Sequence, residues 1–224
     1  ISLGRENKVK NVPLPLLGRL ISGGHTEVVL MEKWGSYKKI GETRDDAVGE
    51  AFDKTARMLG LSYPGGPQVA RLAEEARIKN ITAKKRLPRP MEKSGDLDFS
   101  FSGLKTAVLY MLRDIGEPTD EDKLGIAREF EDAAAETLII KTRDALKETG
   151  AQGLVLGGGV AANLHLRSQM KNLVAQEFSS LELYLPDPTI TVDNAVMIAV
   201  AGIFKGTSHA VAPDTLSANA NLSF

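Results

Sequence analysis

The 224-residue sequence reads as a mixed α/β domain carrying a helical insertion. Three features carry that reading. Strand-like segments open the chain, helical periodicity fills its middle, and a strand, a triple glycine and a helix follow one another from residue 153. A hydrophobic content of 42% is ample for the core of one large domain or two small ones.

Residues 14–22 (LPLLGRLIS) and 27–32 (EVVLME) alternate as strands do around a break rich in small and polar residues, and 38–43 forms a third strand. Together they predict an antiparallel meander. From Asp45 to Leu59 the apolar residues Ala47, Ala51, Phe52, Ala56 and Leu59 recur at helical spacing until Gly60 stops them. YPGGP at 63–67 is a turn, and Gln68 to Ile78 is a second helix. The polar, proline-broken stretch from Lys79 to Asp98 predicts a long surface loop. Two helices follow, Gly103 to Ile115 and Asp120 to Thr149. The longer one has Thr119 as N-cap, three acids in its first turn, Gly150 as its stop, and a buried face of Phe130, Ala134, Leu138 and Ala145. GLVLGGGVAANLHLR at 153–167 is a short strand, a glycine turn and a helix. A strand near 181–185 precedes an apolar helix over 193–204 that begins with Asp193 and Asn194.

Lys plus Arg number 28 against 29 Asp plus Glu, so no global positive field draws in nucleic acid. The absence of cysteine excludes disulfides and thiolate metal sites and fits a reducing compartment. No apolar run reaches a membrane span, and the first residues lack the apolar core of a signal peptide. A soluble cytoplasmic protein with no membrane partner is the expectation. Because the chain opens on Ile1 with a polar start, it is expected to be a piece of something longer.

Several short motifs admit both a chemical and a structural reading. Gly157 to Gly159, between strand and helix, would let a nucleotide approach the backbone, and a tight turn explains them as well. Asn163 offers an amide that can bridge donor and acceptor, or is a plain surface helix residue. Asp46, Gly49, Glu50 and Asp53 set acids on one helix face; sugar hydroxyls, a metal or a basic partner would offset their repulsion, and solvent does so too. Asp193 at the head of an apolar helix is satisfied by a capping role alone. The histidines are His25, His165 and His209, none paired at metal-binding helix spacing. The basic run from Arg77 to Arg89 is a solvated loop or a phosphate-contacting patch. Neither a G-x-S-x-G elbow nor a Walker A lysine loop is present.

Taken in order, SGGHTE at 22–27, DDAVGEAFDKTARMLGLSYPGGP at 45–67, DFSFSGLKTA at 98–107, GGGVAANLHLR at 157–167 and VDNAVMIA at 192–199 resemble the tRNA N6-adenosine threonylcarbamoyltransferase family, TsaD and its relatives, from about Pro13 onward. The resemblance implies an α/β fold of the actin-like, Hsp70-like ATPase type (ASKHA). Residues 1–16 would be a connector from a missing N-terminal lobe, and 17–224 the C-terminal lobe with a helical insertion at about 66–150. It implies transfer of threonylcarbamoyl from threonylcarbamoyl-AMP to N6 of adenosine 37 in tRNAs reading ANN codons. By motif, Leu20, Ile21, Ser22, Gly23 and Gly24 would line the adenylate or phosphate site. Asp53 and Gly66 would meet its ribose or base side, and Asn163 would contact the nucleotide. Asp193 would be one ligand of a divalent metal, iron foremost, with zinc or magnesium as alternatives, while ATP or threonylcarbamoyl-AMP is the nucleotide ligand. No side chain is assigned as a covalent catalyst. In the family a His-x-x-x-His pair on a helix ahead of SGGHT supplies two more ligands, and this chain starts after that point. Implied partners are tRNA, an inactive TsaB-like paralogue, a TsaE-like ATPase and a complementing N-terminal piece.

Two other functions fit the same resemblance. A non-catalytic scaffold paralogue would not need Asp53, Asn163 and Asp193 together. A sugar or acid kinase of the same superfamily would not be expected to carry DFSFSGLKTA and GEAFDK.

Overall fold

The computed structural model describes residues 12–206 and Ser217. Five strands form one sheet in the order β3-β2-β1-β4-β5. β1 (Leu16–Ile21), β2 (Thr26–Lys33) and β3 (Ser36–Glu42) are the antiparallel meander, and β4 (Gly153–Gly157) and β5 (Glu182–Tyr184) extend it in parallel. Central β1 pairs Ile21 with Thr26 of β2 and Leu20 with Gly157 of β4. The glycine-rich turns after β1 and β4 therefore leave the sheet at the same edge, beyond the carboxyl ends of two parallel strands, where α/β sheets commonly bind ligands.

The helices fall close to their expected bounds, as α1 (Val48–Met58), α2 (Gly65–Ile78), α3 (Ser102–Ile115), α4 (Asp120–Thr149), α5 (Leu164–Glu177) and α6 (Ala195–Lys205). α4, 30 residues and thus about 45 Å long, is the spine of the molecule and packs on α2, α3, α5, β1 and β2. Its start is a capping box in which the Thr119 hydroxyl accepts from Asp122 N–H while the Asp122 carboxylate accepts from Thr119 N–H. Gly150 closes it in the left-handed conformation, φ 61°.

Leu17, Arg19 and Ile21 point from β1 into the core, and Phe52 of α1 meets Phe130 of α4 edge to face at 5.0 Å. Each such fully buried apolar side chain contributes roughly 1.5–3 kcal/mol. Arg19 is the exception in this layer. It is a buried cation stacked 4.5 Å from the Phe99 ring centroid, with no hydrogen-bond partner at any guanidinium nitrogen.

The loop after α2 is tied down by charge. Lys84 pairs with Asp122, Lys85 with Asp114, Arg86 with Glu136, and Arg89 with Glu129 and Glu136. The basic run is thereby neutralised by carboxylates of α3 and α4, and does not form the bare positive patch that phosphate contact would favour. None of the described helices is long and apolar enough to cross a membrane.

Two local expectations need correction. The helix after the triple glycine does not start there: a 3-10 turn over Gly159–Ala162 intervenes, and α5 begins at Leu164. The last helix begins at Ala195 with Asn194 as its cap, so Asp193 lies outside it and caps nothing. Asn194 Oδ1 accepts from Met197 N–H at 3.0 Å and takes the role expected of Asp193.

Candidate nucleotide-facing site

The break in SGGHT is a tight turn closed on itself. Ser22 N–H donates to the His25 carbonyl at 2.8 Å, and the Ser22 hydroxyl accepts from Gly24 N–H and His25 N–H at 3.3 and 3.0 Å. A phosphate oxygen approaching these amides would displace the serine hydroxyl. Thr26 explains the threonine of the motif: fully buried, its Oγ1 accepts from Val48 N–H at 2.9 Å and caps α1, whose own N-cap Ala47 has no side chain to do so.

Two glycines hold the surrounding elements in close contact. A Cβ on Gly49 would stand 2.6 Å from Ser22 O and 2.8 Å from Gly23 Cα, so only glycine lets α1 dock beneath the turn. Gly158 has φ 89°, and a Cβ there would run into the Ile21 carbonyl oxygen. Gly23, Gly24 and Gly66 are different. A Cβ on any of them meets nothing within 4 Å, and none has a positive φ. Neither packing nor backbone conformation in the described chain requires glycine at these three positions.

Asp53 lies one turn beyond Gly49 on α1, and its Oδ1 accepts from Gly65 N–H at 2.8 Å, anchoring the start of α2 beside Gly66. Of the expected acidic face, Asp46 lies ahead of α1, and a basic side chain offsets its repulsion with Glu50: Lys54 spans the two at 2.8 Å each. Burial alone would raise the Asp46 carboxyl, but Lys54 and Lys105 hold it below the usual carboxylate range.

Asn163 is the N-cap of α5, its Oδ1 accepting from Leu166 N–H at 2.8 Å. Its Nδ2 donates to Glu131 Oε1 at 2.6 Å, and Glu131 Oε2 accepts from Arg77 at 2.6 Å. Arg77 also reaches Asp132, which His165 Nε2 approaches at 3.1 Å. Burial pushes the Asp132 carboxyl up, yet hydrogen bonds from His165 and Arg77 prevail and bring it below its ordinary value. This network joins α2, α4 and α5. Asn163, Glu131 and Phe52 line one small crevice with Val160 and Leu166.

The expected residues thus gather from separate stretches of chain. Leu20 and Ile21 end β1, Ser22, Gly23 and Gly24 form the turn, Asp53 and Gly66 lie at the α1–α2 junction, and the 3-10 turn before Asn163 packs on both β1 and α1. Val192 lies 3.6 Å from where a Gly159 Cβ would stand, which brings exposed Asp193 beside the glycine turn. Asp193 offers one carboxylate, and no group of three His, Cys, Asp or Glu among the described residues is placed to hold a metal ion. His25 is exposed at the turn, and His209 lies outside the described residues. Glu131 was not anticipated. Its signal was a carboxylate next to Phe130 in the run FEDAAAETL, inside the stripe that buries Ile126, Ala127, Phe130, Ala134 and Leu138.

The family model described as TsaD, tRNA N6-adenosine threonylcarbamoyltransferase, matches residues 4–200. A tRNA N6-adenosine threonylcarbamoyltransferase of Burkholderia vietnamiensis (strain G4 / LMG 22486) is 45% identical over 199 residues, covering 86% of this chain and 56% of the relative. One of Aromatoleum aromaticum (strain DSM 19018 / LMG 30748 / EbN1) is 47% identical over 196 residues, covering 87% and 55%. The chain thus spans about half the length of the curated relatives it matches. A crystal structure of full-length HypF in its phosphate- and nucleotide-bound form superposes with a TM-score of 0.54 at 14% identity, over 79% of this chain and 37% of that one. That likeness is one of fold alone. With the family model matched along most of its length, the chain belongs to the TsaD family of tRNA N6-adenosine threonylcarbamoyltransferases.

Proposed function

We propose that this chain is the nucleotide-facing C-terminal part of an enzyme that transfers threonylcarbamoyl from threonylcarbamoyl-AMP to N6 of adenosine 37 in tRNAs reading ANN codons. The observation that carries the proposal is that three glycines of the assigned segments are free of any packing or backbone demand, a freedom that Gly103 and Gly202 share elsewhere in the fold. Gly23, Gly24 and Gly66 have open space at the Cβ position and no positive φ, and they lie in the two segments assigned to the adenylate. Bare backbone there suits the close approach of a phosphate or ribose.

In this reading Leu20 to Gly24 hold the phosphate or acyl-phosphate, Asp53 and Gly66 the ribose or base, and Asn163 the nucleotide edge. Asp193 supplies one ligand of a divalent metal, iron foremost, whose chemistry would be that of a Lewis acid on the acyl group. The chain's own work is positioning: it orients the acyl carbon toward the adenosine amine and keeps AMP in place as leaving group. The partners proposed are tRNA, an inactive TsaB-like paralogue, a TsaE-like ATPase and an N-terminal piece carrying the histidine pair, in the cytoplasm.

The test is threonylcarbamoyl transfer to a tRNA transcript, by this chain alone and together with the N-terminal half of a relative. Modified adenosine is expected with the complementing half and should disappear with Asp53→Ala. Absence of product with a complementing half that is active in its own full-length enzyme overturns the proposal.

A further inference from the structure

We propose that Glu131 is a positioning residue for the nucleotide site, acting through Asn163; this rests on the reading of Asn163 as a nucleotide contact. Glu131 is 2% exposed, in the middle of α4, and both of its oxygens are engaged. Oε1 accepts from Asn163 Nδ2 at 2.6 Å and Oε2 from Arg77 at 2.6 Å. Burying a carboxylate is costly unless it is paired and hydrogen-bonded, and Arg77, itself shared with Asp132, supplies the charge that makes burial tolerable.

The consequence falls on Asn163. A side-chain amide can present either its oxygen or its nitrogen to a given neighbour, and only its partners decide. Here the carboxylate accepts only, so it fixes Nδ2 toward α4, while Leu166 N–H fixes Oδ1 toward α5. One Nδ2 hydrogen and one Oδ1 lone pair then remain, on a half-buried amide. A donor and an acceptor side by side in a fixed orientation are what the edge of a nucleobase or a ribose hydroxyl requires. Glutamine at 131 cannot do the same. It has one oxygen for two donors, and if Arg77 takes it, the glutamine amide meets the Asn163 amide nitrogen to nitrogen.

The same pairing ties the insertion to the site at two points. Asp53 holds the start of α2 through Gly65 N–H, and Arg77, near the end of α2, holds Glu131. The two side chains assigned to the nucleotide are therefore linked through one helix of 14 residues.

The experiment is a double-mutant cycle of Glu131→Gln and Asn163→Ala in this chain, read as the calorimetric Kd for ATP with Mg²⁺. Each single variant should bind about tenfold more weakly than the parent, as expected for loss of a hydrogen bond involving a charged group. In the Asn163→Ala background, Glu131→Gln should then cost nothing further. Equal losses in both backgrounds, or no loss from Glu131→Gln alone, overturn the positioning role. An Asn163→Ala variant that binds as the parent does refutes the Asn163 assignment instead, and a folded parent that binds no ATP refutes the nucleotide reading as a whole; the inference falls with either. Should Glu131→Gln fail to fold, side-chain amide NMR of the parent decides. One Asn163 Nδ2 proton should be protected from exchange by the carboxylate while the other shifts on adding ATP. Two rapidly exchanging protons overturn the inference.

Discussion

Replacing Arg19 with methionine should make the protein more stable. Arg19 occupies the middle of β1 with 1% of its surface exposed, and Nε, Nη1 and Nη2 all lack hydrogen-bond partners. Burial drives the guanidinium pKa well down, to about 9, so the charged form is worse off in the folded chain by roughly 5 kcal/mol. Its stacking on Phe99, at 4.5 Å, returns about 2 kcal/mol in a desolvated setting. Methionine of similar length would keep a favourable sulfur contact with the ring and remove the charge. About 3 kcal/mol of stabilisation follows, within the range seen when buried ions give way to apolar residues. Urea denaturation of both proteins near neutral pH measures it. The pH dependence adds a sign. A base whose folded pKa is depressed destabilises fully below that value, and the deficit closes as pH rises above about 9 toward the unfolded value. The advantage of Arg19→Met should accordingly be flat below about pH 9 and narrow above it. A less stable variant, or an advantage that widens at high pH, would refute the account of Arg19 as an uncompensated buried cation.

Other consequences follow from the same geometry. Gly49→Ala forces a Cβ to within 2.6 Å of the Ser22 carbonyl oxygen and should cost about 2–3 kcal/mol in urea denaturation. Gly66→Ala should behave oppositely, raising stability by up to about 1 kcal/mol through helix propensity while weakening ATP binding; unchanged affinity would remove Gly66 from the site. The Asp132 carboxyl is held below its ordinary 3.8, so the stability it lends is complete above that value and is lost as pH falls through the folded one. The stability gap between the parent and Asp132→Asn should therefore shrink below about pH 4 in acid unfolding. Reversing Lys84, Lys85 and Arg86 to glutamate sets like charges against Asp122, Asp114 and Glu136, and should lower the urea midpoint by an amount that 1 M salt largely restores.

Much of the scaffold was legible because local rules and packing agreed. Thr119, the acids behind it and Gly150 delimit α4 through capping chemistry alone, and both ends are observed where that chemistry places them. β1 and β2 likewise follow from alternation on a sheet buried mainly on one face. Two errors were local, and the others arose where a side chain's partner lies far away in sequence. Asp193 and Asn194 are both good caps, and propensity cannot decide which one the chain uses. The helix was expected directly after the triple glycine because a 3-10 turn has the same composition as a first helical turn. Lys79 pairs with Glu75 four residues before it, but most cations of residues 77–89 find their carboxylates 29 to 55 residues away on α3 and α4, where the sequence does not show them. Glu131 was invisible for the same reason: Asn163 is 32 residues distant and Arg77 is 54. The glycines of the site could be noticed in the sequence, but only the structure separates Gly49 and Gly158, which packing demands, from Gly23, Gly24 and Gly66, which it does not.

The most direct test of the account is a calorimetric titration of ATP and Mg²⁺ into this chain, with Asp53→Ala beside it. Saturable binding of one nucleotide, lost in the variant while it remains folded, is the predicted result. A folded chain that binds no nucleotide, or a variant that binds as well as the parent, would contradict the claim that these turns form a nucleotide site.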